Sequence, residues 1–198
     1  MSEPNKEKDE GEKKDKLVVP FLKGENVDLL PINLDHLNLY TKWFNLEEMR
    51  RYSRMEFPQT KEQIKKNFST DDKGGKQGVT LEIWHKKDKK PIGLAGLNHI
   101  NWFNRNANIF LTIEPNYQQR KIGTQVGKML VDYGFLELNL EKIHSSIIEA
   151  NEGSWKTAEK IGFSLEVELK DEAFVDGKYY SEKKYGIFRE EWLSSKKN

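Results

Sequence analysis

At 198 residues, with 36% hydrophobic and 11% aromatic side chains, the chain is long enough to bury one sizeable core and short enough to form one domain. Its 33 Lys and Arg nearly cancel its 32 Asp and Glu, so net charge points to no nucleic-acid partner, and basic pairs such as Lys86-Lys87 and Lys89-Lys90 read as solvated turns. The lack of cysteine excludes disulfides, thiolate catalysis and cysteine metal sites, and no apolar run is long enough for a membrane span or a signal core, so a cytoplasmic location is expected.

Residues 1–16, MSEPNKEKDEGEKKDK, mix charges without apolar anchors and are predicted to be a disordered tail ahead of a single domain over 17–193. Leu17 to Leu22 reads as a lead-in and Val27 to Leu30 as the first strand. Asn33 or Asp35 can cap a helix through Leu37, Tyr40, Trp43 and Phe44, and a second short helix is predicted over Leu46 to Tyr52. After the break at Pro58, Thr60-Lys61-Glu62-Gln63 has capping-box spacing and starts a helix ending near Phe68. A loop at Asp71 to Gly75 precedes the alternating strand Val79 to Trp84. A turn at Lys87 to Lys90 leads to Pro91–Ile100, and Trp102 to Arg105 connects it to the strand Ala107 to Ile113, an antiparallel meander.

After Glu114-Pro115 a polar turn rich in Gln, Arg and Lys opens into a helical pattern. Strand, polar loop and helix start make an anion-binding layout, because first-turn N–H groups lack intrahelical acceptors and the macrodipole adds positive charge there. Gly123 permits close backbone approach, and Arg120 and Lys121 add charge. The helix then crosses over to Ile143–Ile148, a strand made parallel to the one before it, so a ligand cleft is expected beyond the carboxyl ends of this pair. Asn151 or Ser154 can cap the next helix, which ends at Gly162. Val175-Asp176-Gly177-Lys178 signals a hairpin joining Leu165–Val175 to Tyr179–Phe188, with Tyr179 and Tyr185 on one face and Tyr180 on the other. Glu190-Glu191-Trp192 closes the domain, and 194–198 are expected to fray. His144 reads as a packing or capping residue, and the four histidines lack metal-ligand spacing, so no metal is expected.

Gln118 and Gly123 meet the pattern Gln/Arg-x-x-Gly-x-Gly/Ala, with Lys121 at its first glycine; in order with it stand YQQRKIGT, LVDYGF, LNLEKIHSSIIEANEGS, AEKIGF, VDGKYY and YGIFREEW. Over Glu25 to Trp192 the chain thereby resembles the GNAT N-acetyltransferases, in their RimJ/RimL-like branch of ribosomal-protein alanine N-acetyltransferases, with similarity to spermidine N-acetyltransferases. The resemblance implies an α+β (α/β) GNAT fold: a mixed, mostly antiparallel sheet flanked by helices, with a V-shaped splay between two parallel strands. It implies acetyl-CoA as co-substrate, its diphosphate on Gln118, Gln119, Arg120, Lys121, Ile122, Gly123 and Thr124. The pantetheine arm would lie along Leu111, Thr112 and Ile113, with Asn151 hydrogen-bonding it.

Ser154 would stand near the departing sulfur. Many relatives carry a tyrosine at the position of Ala158, so here Ser154 or a water inherits the acid role. Glu172 aligns with a glutamate of the polyamine-type relatives and is the candidate base; in the ribosomal-protein type the glutamate falls at Ala173, and Glu82 and His99 are other candidates. The first helices would form the acceptor wall, with Trp43, Glu47, Glu48, Arg50, Arg51, Tyr52 and Met55. The implied acceptor is a primary amine, either a protein N-terminus or a small molecule such as a polyamine or amino sugar, and dimers are common among such relatives. Two rivals stay open: a catalytically silent acyl-CoA-binding module, motivated by Lys121 and Ala158, and a nucleotide-binding α/β domain.

Overall fold

The computed structural model describes residues 19–53, 55–68 and 77–196; the charged tail over 1–16 and the loop over 71–75 lie outside the described residues. In chain order the elements are β1 (Val27–Pro31), a 3-10 turn (Leu34–His36), α1 (Leu37–Asn45), α2 (Glu47–Arg50), α3 (Lys61–Phe68), β2 (Val79–His85), β3 (Lys90–Asn101) and β4 (Asn106–Ile113). A 3-10 turn (Pro115–Tyr117), α4 (Ile122–Leu136), β5 (Lys142–Ile148), α5 (Glu152–Ile161), β6 (Ser164–Val175), β7 (Lys178–Phe188) and α6 (Arg189–Ser195) follow.

Local signals set most of these boundaries. Asn33 accepts from the Asp35 N–H at 3.0 Å, capping the 3-10 turn that feeds α1. Before α3 the capping box closes both ways: the Thr60 N–H donates to Gln63 Oε1 at 2.8 Å and the Gln63 N–H to Thr60 Oγ1 at 3.2 Å. Gly162, at φ 119°, ends α5 and donates to the Ala158 and Glu159 carbonyls. The β6–β7 hairpin turns on Asp176 and Gly177, both at positive φ, as a tight primed turn requires.

The strands form one seven-stranded sheet in the order β1-β2-β3-β4-β5-β7-β6. All neighbours are antiparallel except β4 and β5, which the α4 crossover makes parallel. Strand alternation sends Leu29, Leu81, Ile83, Ala95 and Leu97 toward α4, where they pack with Val126, Leu130 and Phe135. Leu94 points the other way, into Leu37, Tyr40, Trp43, Met49 and Ile64 of α1–α3. Covered on both faces, β3 is buried from Pro91 to Leu97. A Cβ on Gly127 would stand 2.2 Å from Ile161 Cδ1, so the missing side chain lets α5 lie against α4.

Three expectations need correction. Ser194 and Ser195 are helical in α6 rather than frayed, because Trp192 docks on Phe135 at 5.4 Å and its Nε1 donates to Asp132 at 2.9 Å. The second helix covers only Glu47–Arg50. Trp43 is 2% exposed, a core side chain and not part of an acceptor wall.

Glu82, a candidate base, is 1% exposed, and His36 Nδ1 lies 2.7 Å from its Oε1 while the Tyr40 hydroxyl donates to the same oxygen. Burial, then the bond to Glu82, pushes the Tyr40 hydroxyl far up, so it stays protonated and keeps donating. The carboxylate is thus spent on tying α1 to β2. Glu82→Leu should cost about 1–3 kcal/mol of stability by stranding these partners, measurable by urea unfolding.

Candidate functional site

β4 and β5 pair over only three positions, Asn106 with Lys142, Ala107 with Ile143 and Asn108 with His144, and then part. The Glu114 N–H donates to the Ile92 carbonyl at 2.8 Å, so the even-numbered residues of β4 give their backbone groups to β3. Accordingly the Thr112 carbonyl lies 2.1 Å from where a Cβ on Gly93 would stand. Ile109, Leu111 and Ile113 therefore turn N–H and C=O toward the gap. On β5, the Glu149 N–H donates to the Ser181 carbonyl at 2.9 Å and the Arg189 N–H to the Glu141 carbonyl at 3.0 Å, so odd residues serve β7 and even ones, Ser146 and Ile148, face the gap. Of the expected trio, Leu111 turns both backbone groups to the gap and Ile113 its N–H, its carbonyl being taken by Gln118, while the Thr112 groups are taken by β3.

At the wide end of the gap the loop before α4 alternates backbone hand. Gln119 has φ 60° and Lys121 φ 62°, with Arg120 between them not in that region. Such an alternation curls successive N–H groups into a concave anion nest, and here it opens directly onto a helix N-terminus. Among the described residues no protein acceptor meets the N–H groups of Gln119 to Thr124, and Lys121 caps α4 without a side-chain bond. Lysine thus holds the left-handed conformation that glycine adopts freely, at a cost of roughly 1–2 kcal/mol.

Side chains frame this loop more than they line it. Gln118 Nε2 donates to the Ile113 carbonyl at 2.9 Å, pinning the loop to the end of β4. The Arg120 guanidinium sits 5.2 Å over the Tyr117 ring, and the Tyr117 hydroxyl donates to Asp88, which chiefly for that reason is held below the usual carboxylate range. A Cβ on Gly123 would meet Thr157, Ile113 and Leu111 side chains at 3.5–3.7 Å, ordinary contact. Protein packing alone does not demand glycine there.

Thr157, in the second turn of α5, packs beside Gly123 at the start of α4, at the wide end of the gap. Asn151 caps α5, accepting from the Ser154 N–H at 3.3 Å, and both side chains are half-buried at this mouth. Ala158 is buried and supplies no phenol. Glu172 is not brought to the gap. It stands exposed in a bulge of the edge strand β6, where three residues between Leu169 and Ala173 oppose Ser181 alone, and β6 lies two strand spacings, ~10 Å, from β5. His99, at φ 50°, is exposed at the irregular end of β3.

Of the proposed acceptor wall, Glu47, Glu48 and Arg50 are exposed on α2, and Arg50 and Met55 line a shallow hollow with Asn45, Glu56, Phe57 and Pro58. Arg51 Nε donates to Asp176 Oδ2 at 2.7 Å, and Arg51 sits 5.5 Å over the Tyr52 ring, tying α2 to the β6–β7 turn. Sequence reasoning missed this tie, as well as Ser146 and Ile148 on the second wall; the parity of β5 against β7 is the signal that finds the latter. Among the described residues no group of three or more His, Asp or Glu is placed to hold a metal ion, and no helix is long and apolar enough to cross a membrane.

Residues 26–164 match the family model described as an acetyltransferase (GNAT) domain. The chain is 36% identical over 110 residues to the spermidine N(1)-acetyltransferase of Escherichia coli K12, covering 56% of this chain and 59% of that protein. It is 29% identical over 109 residues to a Bacillus subtilis protein provisionally named ribosomal N-acetyltransferase YdaF, 55% of this chain and 60% of that one. The chain thus spans about 60% of the length of these curated relatives. In fold it superposes on the spermidine N-acetyltransferase of Vibrio cholerae, solved with CoA and spermine, with a TM-score of 0.76 at 24% identity, over 85% of this chain and 98% of that one.

Lys121→Gly should relieve the left-handed strain and raise stability by about 0.5–1 kcal/mol after the greater freedom of unfolded glycine is deducted, as read by urea unfolding.

Proposed function

The chain belongs to the GNAT acetyltransferase family, and from that premise we propose that it transfers the acetyl group of acetyl-CoA to a primary amine by direct attack within a ternary complex. The observation that carries this reading is the parting of β4 and β5 beneath a nest of acceptor-free N–H groups at Gln119 to Thr124. A diphosphate fits that nest. An extended amide-bearing arm fits the gap, because Leu111 and Ile113 present backbone groups to it as a neighbouring strand would.

The residues then divide the chemistry. Nest and gap hold the thioester in place, which removes much of the entropic barrier to attack by the amine. A backbone N–H of β4 polarises the thioester carbonyl as charge develops on its oxygen. Asn151 hydrogen-bonds the arm. Ser154, half-buried at the start of α5, delivers a proton to the departing thiolate directly or through water. Exposed Glu47, Glu48 and Glu56 place carboxylates beside Arg50 and Arg51 on the α2 segment, as partners for a cationic amine. A polyamine is the acceptor class we favour, in keeping with the name of the Escherichia coli relative; a protein N-terminus is the alternative. A silent acyl-CoA-binding module is the second reading, favoured by Lys121 in the loop and by the missing phenol at Ala158.

Acetyl-CoA should raise the melting temperature, and at a hundred times its Kd should add about 2.7 kcal/mol. Release of free CoA with spermidine, an N-terminal peptide or an amino sugar then selects the acceptor. Binding without release on any amine would favour the silent module. Gly123→Ala, whose Cβ fits, should leave stability and acetyl-CoA affinity near wild type, whereas a bulky Gly123→Phe should lower acetyl-CoA affinity about tenfold or more by obstructing the approach to the loop. Unchanged affinity in Gly123→Phe would remove the diphosphate from this loop.

A further inference from the structure

We propose that His144 is the general base that takes the proton of the acceptor amine through one water molecule; this inference rests on the acetyl-transfer reading above. Its position comes first. Asn108 with His144 is the last paired register of β4 and β5, so the imidazole stands where the gap closes. From Ile113 to Asn108 the strand runs ~17 Å, so a thioester entering from the nest lies between the mouth, where Ser154 stands, and the closed end, where His144 stands.

The face comes second. Ile143 packs against Gly134 of α4, so odd residues of β5 point to the helical side and His144 to the opposite side, the one an amine must enter. Asn108 and Asn98 share this face, joined by a bond of 2.8 Å from Asn108 Nδ2 to Asn98 Oδ1. The cross-strand neighbour of His144 on β7 is Gly186, which leaves the flank of the ring without a side chain from that strand. Into that space reaches Glu166, whose carboxylate would lie 2.7 Å from a Cβ on Gly186 and pairs with Lys142 at 2.5 Å.

The surrounding charges favour a neutral ring. Burial is the largest influence and lowers the pKa of His144. Lys142 on its own strand, Lys184 on β7 and His99 on β3 act in the same direction, and Glu166 on β6 opposes them. A neutral imidazole near pH 7 accepts a proton, as a base must. Other candidates are poorly placed: Glu82 is held by Tyr40 and His36, Glu172 stands in the β6 bulge, and His99 is exposed.

The step balances. Water relays one ammonium proton to the imidazole, and the freed nitrogen lone pair forms the C–N bond. The C–S bond breaks, the thiolate takes a proton from Ser154 or water, and the second proton of the nitrogen restores that donor, leaving neutral amide, neutral thiol and one proton on His144. Base and acid thus act from opposite sides of the gap.

The test is kcat/KM against pH for wild type and His144→Gln, with acetyl-CoA affinity measured in parallel. Wild type should lose activity as pH falls through a single limb lying below the usual histidine value. The variant should bind acetyl-CoA equally, lose roughly 10²-fold or more in kcat and show no such limb. Added imidazole should partly restore His144→Gly, which a packing role would not allow. A variant with near-wild kcat and an intact limb would overturn the inference. Should the variants fail to fold, histidine NMR of the wild type decides, with His144 assigned by substituting the other three: its titration must coincide with the kinetic limb, and a mismatch overturns the assignment. Wild type that binds acetyl-CoA yet acetylates no amine sinks the underlying reading instead.

Discussion

Backbone N–H and C=O groups inside a sheet need partners, and β4 and β5 stop supplying them to each other after Asn108 and His144. Everything distinctive in this molecule follows from that. Two inner strands are left with facing rows of polar backbone that neither water-filled surface nor packed core ordinarily provides. The gap is held open by the strands that pair along its two sides. β3 keeps β4 in place on one side and β7 keeps β5 in place on the other.

The two helices on the far face complete the opening. Gly127 lets α4 and α5 come together, and Gly123 meets Thr157 one turn earlier along the same junction, so α5 lies alongside the start of α4. What that opening offers a ligand is main chain. Gln118 braces the loop and Arg120 stacks on Tyr117, while the N–H groups of Gln119 to Thr124 point outward. A site of this kind tolerates side-chain drift, which is why Lys121 can occupy a position of left-handed backbone without dissolving the nest.

Much of this was legible in the chain itself. The strand, polar loop and helix around Gly123, the cap at Thr60, the stop at Gly162 and the Asp176-Gly177 hairpin are local signals that stand where their chemistry predicts, whereas Asn33 caps the 3-10 turn ahead of α1 and not α1 itself. What escaped is non-local. Thr112 was expected in the gap because a strand shows which residues share a side-chain face, but not which neighbour takes its amides. Glu172 lies in a three-residue bulge opposite Ser181, and no composition signal announces a bulge in an edge strand. Trp43 sits in the core because α1 folds inward over Leu94, a contact between segments far apart in sequence. The Arg51 to Asp176 tie joins residues separated by 125 positions, beyond any pattern read along one strand or helix.

The closure of the gap at Asn108 and His144 has one more consequence on the proposed function. The nest grips a handle common to every CoA thioester, so it does not tell a two-carbon acyl group from a longer one. That discrimination falls to the apex, where the strands come within one ladder spacing, ~4.8 Å, and hydrogen-bond to each other. A short acyl group ends there, whereas a longer chain runs into paired backbone. The fold thereby measures donor size by the point at which two strands begin to zip.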